Sequence, residues 1–128
     1  MQGLLLFAHG ARDPAWARPF ERIAAQIAGA RPELPLALAY LELMQPDIES
    51  AAESLCARGC TEIHIVPMFL GASGHVRRDV PPLVEQLQAR HAGRCRFHLH
   101  EAIGEQASVI EAMASTALAF LPLSTPTP

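Results

Sequence analysis

Gln2-Gly3-Leu4-Leu5-Leu6-Phe7-Ala8-His9-Gly10 opens the chain, and its reading decides the fold. Residues 2–8 are a near-continuous apolar run, the pattern of a strand covered on both faces. The run breaks at His9-Gly10, so the imidazole should emerge where the backbone turns into solvent. Asp13-Pro14 then supplies an N-cap and a first-turn proline. Trp16, Phe20, Ile23 and Ile27 follow at spacings of four, three and four, which predicts one buried helical stripe. Pro19 means that this helix is kinked there or begins close to it.

The same alternation continues along the chain. Residues 35–42 read as a second strand, and Gln45-Pro46-Asp47 opens a second helix with Ile48, Ala52 and Leu55 inward and Gly59 as its C-terminal cap. Residues 61–70 read as a third strand, and the loop Gly71-Ala72-Ser73-Gly74-His75 follows it. A third helix is expected over residues 79–91, with Pro81 and Pro82 in its first turn. Residues 94–100 read as a fourth strand, and residues 108–121 as a final helix with Val109, Met113 and Phe120 on one face. Strands separated by helices of this length imply right-handed crossovers, hence an α/β fold with a four-stranded parallel sheet. Residues 1–121 are expected to form one domain and residues 122–128, alternating proline with Ser and Thr, a flexible tail.

Composition narrows the partners. The 128 residues are half hydrophobic and carry a net charge of -3, with no basic cluster longer than Arg77-Arg78. That argues against a nucleic-acid footprint. No window reaches the roughly 20 apolar residues of a membrane span, and the N-terminus lacks the basic start of a signal peptide. A cytoplasmic protein is the expectation. Cys56, Cys60 and Cys95 form no Cys-x-x-Cys pair and read as small apolar residues.

In a parallel sheet the carboxyl ends of the strands share one edge. His9 follows the first strand, Glu42 ends the second, His75 follows the third, and His100 with Glu101 ends the fourth. Two imidazoles and a carboxylate are a ligand set for a divalent transition metal with positions left open for substrate. Arg12, Arg77 and Arg78 flank the histidines and suit an anionic substrate. His64, inside a strand, and His91, at a helix end, read as structural, whereas His98 and His100 share one face of the fourth strand. His100 is a reserve candidate for the site.

Three motifs together resemble the small CbiX/SirB-type class II chelatases. They are His9-Gly10-Ala11-Arg12-Asp13-Pro14, Tyr40-Leu41-Glu42-Leu43 with Pro46 after it, and Val66-Pro67-Met68-Phe69-Leu70 running into Gly74-His75-Val76. The resemblance implies a chelatase-like three-layer fold with helices on both faces of the sheet. It also implies ATP-independent insertion of Co²⁺, Fe²⁺ or Ni²⁺ into sirohydrochlorin, on the way to cobalamin or sirohaem. No organic cofactor is implied; the metal is a substrate. His9 and His75 match the family's metal-binding catalytic pair and Glu42 its acidic partner, while the small form works as a homodimer. Two positions depart from the pattern: Ala11 stands where relatives commonly have serine, and Gln106-Ala107 where they often have His-Pro.

Two other functions use the same residues. A metal or tetrapyrrole carrier needs the same ligands without turnover. A phosphohistidine-type phosphatase would use His9-Gly10-x-Arg12, but that chemistry wants an arginine before the histidine, and Ala8 occupies the position.

Overall fold

The computed structural model describes residues 1–71 and 74–123, apart from the side chain of His75. Strands β1 (Gln2–Ala8), β2 (Leu36–Tyr40), β3 (Glu62–Pro67) and β4 (Arg96–Leu99) form one sheet in the order β2-β1-β3-β4. Every pairing is parallel, with β1 in register from Leu4↔Leu36 to Ala8↔Tyr40 on one side and from Gln2↔Glu62 to Phe7↔Pro67 on the other. The central place of β1 explains its unbroken apolar run. Leu5 and Phe7 point into one core, and Leu6 and Ala8 into the other.

Helix α1 (Arg18–Ala30) lies over β1 and β2. A 3-10 turn, Pro14–Ala17, precedes it, capped by the Asp13 carboxylate, which accepts the Ala15 N–H at 2.9 Å. The helix begins at Arg18, so Pro19 sits in its first turn, where no N–H is needed from that residue. The buried stripe is corrected at one position. Trp16, Phe20, Ala24 and Ile27 pack on the sheet, and Ile23 sits at the edge, 37% exposed.

Helices α2 (Ile48–Ala57) and α3 (Gly74–Arg90) cover the opposite face through Ala52, Leu55, Val80, Val84 and Leu87. Asp47 caps α2 by accepting the Ser50 N–H at 2.8 Å, which holds its carboxyl below the ordinary range. Asp47→Ala is expected to cost about 1 kcal/mol of stability, read as a lower urea midpoint at pH 7 with an unchanged slope. A depressed carboxyl pKa contributes stability above its unfolded value and loses it as pH falls through the folded value. The difference from wild type should therefore vanish in acid.

α3 starts five residues earlier than the prolines suggest, which places Pro81 and Pro82 in its interior. Val76, Val80, Val84 and Leu87 repeat on one face, and their burial against the sheet carries the helix through the missing N–H groups. The strands end sooner than the apolar runs do, β2 at Tyr40 and β3 at Pro67. Helix α4 (Ala107–Ala119) has the expected face but not a buried one: Val109, Met113 and Phe120 line an open groove, and the helix contains no buried residue. The cysteines also differ from the expectation. Cys56 and Cys95 are disulfide-paired, with Cα atoms 6.5 Å apart, while Cys60 is free and buried. No described helix is long and apolar enough to cross a membrane. Residues 124–128 of the expected tail lie outside the described residues.

Candidate active site at the carboxyl edge of the sheet

His9 is the first residue beyond β1, and its backbone sets the position of Glu42. Leu41 and Glu42 leave β2 but donate their N–H groups to the carbonyls of Ala8 and His9, at 2.9 and 3.1 Å. Glu42 therefore belongs to a loop past the strand, not to the strand end expected for it. The loop is closed at its base by the Tyr40 N–H donating to Pro46 O at 3.0 Å, and it contains a cis Gln45-Pro46 bond and Leu43 at φ +65°.

Gly10 makes this approach possible. It has φ +99°, and a Cβ there would lie 1.9 Å from the carbonyl oxygen of Glu42. With the two backbones in contact, His9 Nε2 and Glu42 Oε1 meet at 3.1 Å, their side chains 40% and 55% exposed. Phe69, in the loop after β3, sets its ring edge-on to His9 with centroids 6.2 Å apart. Nearby Tyr40 is buried, which raises its hydroxyl pKa, with a smaller push from Glu21.

His75 is the second residue of α3, so its backbone follows β3 at the same sheet edge; its side chain lies outside the described residues. Among the described residues no group of three or more His, Cys, Asp or Glu is set to hold a metal ion. The described part of the site is thus the His9–Glu42 pair. Gly104 secures the loop between them and α3. Its N–H donates to Phe69 O at 2.9 Å, and a Cβ there would fall 2.1 Å from Leu70 O.

The arginines separate. Arg12 lines a groove with Ala11, Tyr40 and Gln45; Arg77 lines a cavity of about 230 Å³ with Phe69, Val76, His100 and Glu101. Arg78 turns back to donate to Gly74 O at 3.2 Å. Of the apolar residues around the loop, Met68 and Phe69 are buried and Leu70 is 70% exposed. Gln106, one of the departures, caps no N–H of α4 with its side chain and instead donates to Glu101 at 3.0 Å.

Sequence reasoning missed a second group. His64, His98 and His100 come together on one face of β3 and its neighbour β4, with Glu62 and Gln2 around them. Burial and the two neighbouring imidazoles lower the His64 pKa; the His98 hydrogen bond lowers that of Glu62. His98 and His100 alternating along β4 was the available signal, but the register against β3 was not readable.

A parallel sheet with helices on both faces and an imidazole–carboxylate pair at its carboxyl edge defines a chelatase-like α/β protein. A model of the CbiX family matches residues 3–118, and the chain belongs to that family. The sirohydrochlorin cobaltochelatase of Sulfolobus acidocaldarius is 26% identical over 118 residues, covering 91% of this chain and 90% of its own. That of Sulfurisphaera tokodaii is 32% identical over 90 residues, 69% of this chain and 72% of its own. Among solved structures, a cobalamin (vitamin B12) biosynthesis CbiX protein from Marinobacter aquaeolei VT8 matches with a TM-score of 0.83 at 30% identity, covering 93% of this chain and 96% of that one. The cobalt-bound sirohydrochlorin chelatase SirB of Bacillus subtilis subspecies spizizenii matches with a TM-score of 0.73 at 25% identity, covering 93% of this chain but 50% of that one.

Proposed function

We propose that this protein is a sirohydrochlorin chelatase that inserts a divalent metal ion, Co²⁺ in the first place and Fe²⁺ or Ni²⁺ as alternatives, without ATP. The observation that carries the reading is the His9–Glu42 pair held at 3.1 Å on an open rim, in a chain of the CbiX family. Relatives named cobaltochelatases favour cobalt, and the Marinobacter cobalamin biosynthesis CbiX protein favours the cobalamin route.

The reaction exchanges two pyrrole N–H protons for one M²⁺. Ligands must hold the ion loosely, and bases must take the protons. A nitrogen and a carboxylate oxygen 3.1 Å apart are spaced as two ligands of one ion, and each becomes a proton acceptor once the ion moves on to the macrocycle. His75, from the start of α3, supplies the third donor, which leaves coordination positions for the pyrrole nitrogens. Sirohydrochlorin carries many carboxylates, and Arg12, Arg77 and Arg78 pair with them at the mouth. Exposed Leu70 offers apolar contact to the ring.

The test adds purified protein to sirohydrochlorin with Co²⁺, Fe²⁺ or Ni²⁺ and follows the absorbance of the macrocycle. Acceleration over the protein-free rate is expected; equal rates with all three metals would reject the assignment.

The active form is a homodimer. Two features support this: the match spans half of the SirB chain, and among the described residues α4 presents an apolar face with no buried residue. Met113 and Phe120, 46% and 84% exposed, sit on that face. The double variant Met113→Glu/Phe120→Glu is expected to sediment as a monomer with an unchanged circular dichroism spectrum, where wild type sediments as a dimer.

A further inference from the structure

The sheet face that α1 covers over β1 and β2 continues across β3 and β4. There the outward side chains of Glu62, His64 and His98 are half-buried and that of His100, just past β4, is exposed. We propose that His64 and His100 bind a divalent transition-metal ion between His64 Nδ1 and His100 Nε2, a second metal site outside the His9 rim.

Three observations carry this. First, the two nitrogens already face one another at 2.9 Å. Metal–nitrogen bonds of about 2.0–2.1 Å at right-angle to tetrahedral geometry place two ligand nitrogens roughly 2.9–3.4 Å apart, so the ion needs a shift of a few tenths of an ångström.

Second, the far nitrogen of His64 is tied. Its Nε2 lies 2.6 Å from Gln2 Oε1, an acceptor only, so Nε2 carries the hydrogen and Nδ1 presents a lone pair. An outer acceptor that fixes the tautomer of a ligating histidine is the usual arrangement in metal sites. In the metal-free state His100 Nε2 donates its proton to that lone pair. On binding, the proton passes through water to His100 Nδ1, and the neutral ring turns its own lone pair to the ion.

Third, the surroundings suit a cation. His98 stacks on His64 with centroids 4.8 Å apart and is itself hydrogen-bonded to the Glu62 carboxylate at 2.9 Å. That places one negative group beside the pair. The protein contributes two ligands, and water completes the shell on the exposed side of His100. An imidazole pair selects Co²⁺, Ni²⁺, Cu²⁺ and Zn²⁺ over Mg²⁺ and Ca²⁺.

His100 also lines the cavity of about 230 Å³ shared with Val76 and Arg77 at the start of α3. An ion bound by His100 lies beside that cavity, where it serves as a loading point. That role rests on the proposed metal insertion; the ion site itself does not.

The experiment titrates untagged protein with Ni²⁺ by calorimetry, in wild type and in His9→Ala, His64→Ala and His100→Ala. His64→Ala and His100→Ala should each lose one bound ion per chain while retaining the ion that His9→Ala loses. Gln2→Leu should weaken the same ion several-fold by releasing the tautomer. In His9→Ala, Cu²⁺ should show electron-spin couplings to two imidazole nitrogens, and these should disappear in the double variant with His100→Ala. Wild-type stoichiometry and affinity in both His64→Ala and His100→Ala would overturn the proposal. Should His64→Ala fail to fold, exposed His100 decides alone. A failure of metal insertion with the His100-dependent ion intact would reject the chelatase reading and leave this site standing.

Discussion

His9→Ala should lower the rate of metal insertion by about 10²–10⁴-fold, the range expected when a positioned acid–base group is lost, with a further loss where the ligand role counts separately. In the proposed mechanism His9 is a ligand in one half of the reaction and a proton acceptor in the other, so its loss removes both roles. Glu42 meets it at 3.1 Å and remains in the variant, but it offers a carboxylate oxygen where the lost side chain offered a nitrogen. The imidazole is 40% exposed and packs edge-on to Phe69, so its removal leaves no large void and the fold should survive. The checking measurement is initial rate against metal concentration, with circular dichroism as the control. A folded variant that inserts metal at the wild-type rate removes His9 from the mechanism.

Gly10→Ala should be worse for the protein than the loss of His9. Two penalties add. At φ +99° an L side chain costs about 1–3 kcal/mol, and the new methyl meets a backbone carbonyl 1.9 Å away, which has no rotamer to adopt. Relief requires the loop of residues 41–46 to move outward, which breaks the Leu41 and Glu42 hydrogen bonds to Ala8 and His9 and draws the carboxylate from the imidazole. We expect a denaturation midpoint lower by the equivalent of at least about 2 kcal/mol together with near-complete loss of insertion. Gly29→Ala is the control: nothing lies within 4 Å of a Cβ there, the residue is in α1, and the change should stabilise by up to about 1 kcal/mol. Equal stability of Gly10→Ala and wild type would show that the loop adapts at no cost.

Much of the fold was legible because apolar pattern and turn chemistry agree over most of the chain. The run in β1, the Asp13 cap, Gln45-Pro46-Asp47 at the start of α2 and Gly59 each state one local fact, and those facts suffice for the order of elements. The errors have physical sources. Pro81 and Pro82 normally mark a first turn, and only the buried Val76–Leu87 stripe reveals that α3 passes through them. Apolar runs overestimated the strands because Met68 and Leu41 still bond to β1 after regular pairing ends. The face of α4 was visible as a period, but a period does not say what covers it.

The rim followed the same rule. His9 was placeable because it stands just after an apolar run and Glu42 because it was read as the end of one, and the structure brings them together. The reason they touch was not readable, since it depends on Gly10 and Glu42 sharing backbone space across two strands. The histidines of β3 and β4 were lost for the related reason that His64↔His98 is a matter of register.

The strand order β2-β1-β3-β4 separates what holds the molecule together from what gives it chemistry. The chain leaves β1 toward α1 on one face and β3 toward α3 on the other, so the crossovers part at the sheet edge between the loops bearing His9 and Phe69. The core residues Leu5, Phe7, Ile63 and Ile65 lie in the strands below those loops and are fully buried. Substitutions in the loops can therefore alter the rim while the scaffold stays fixed, and under the proposed function a change of metal is a matter of a few exposed positions.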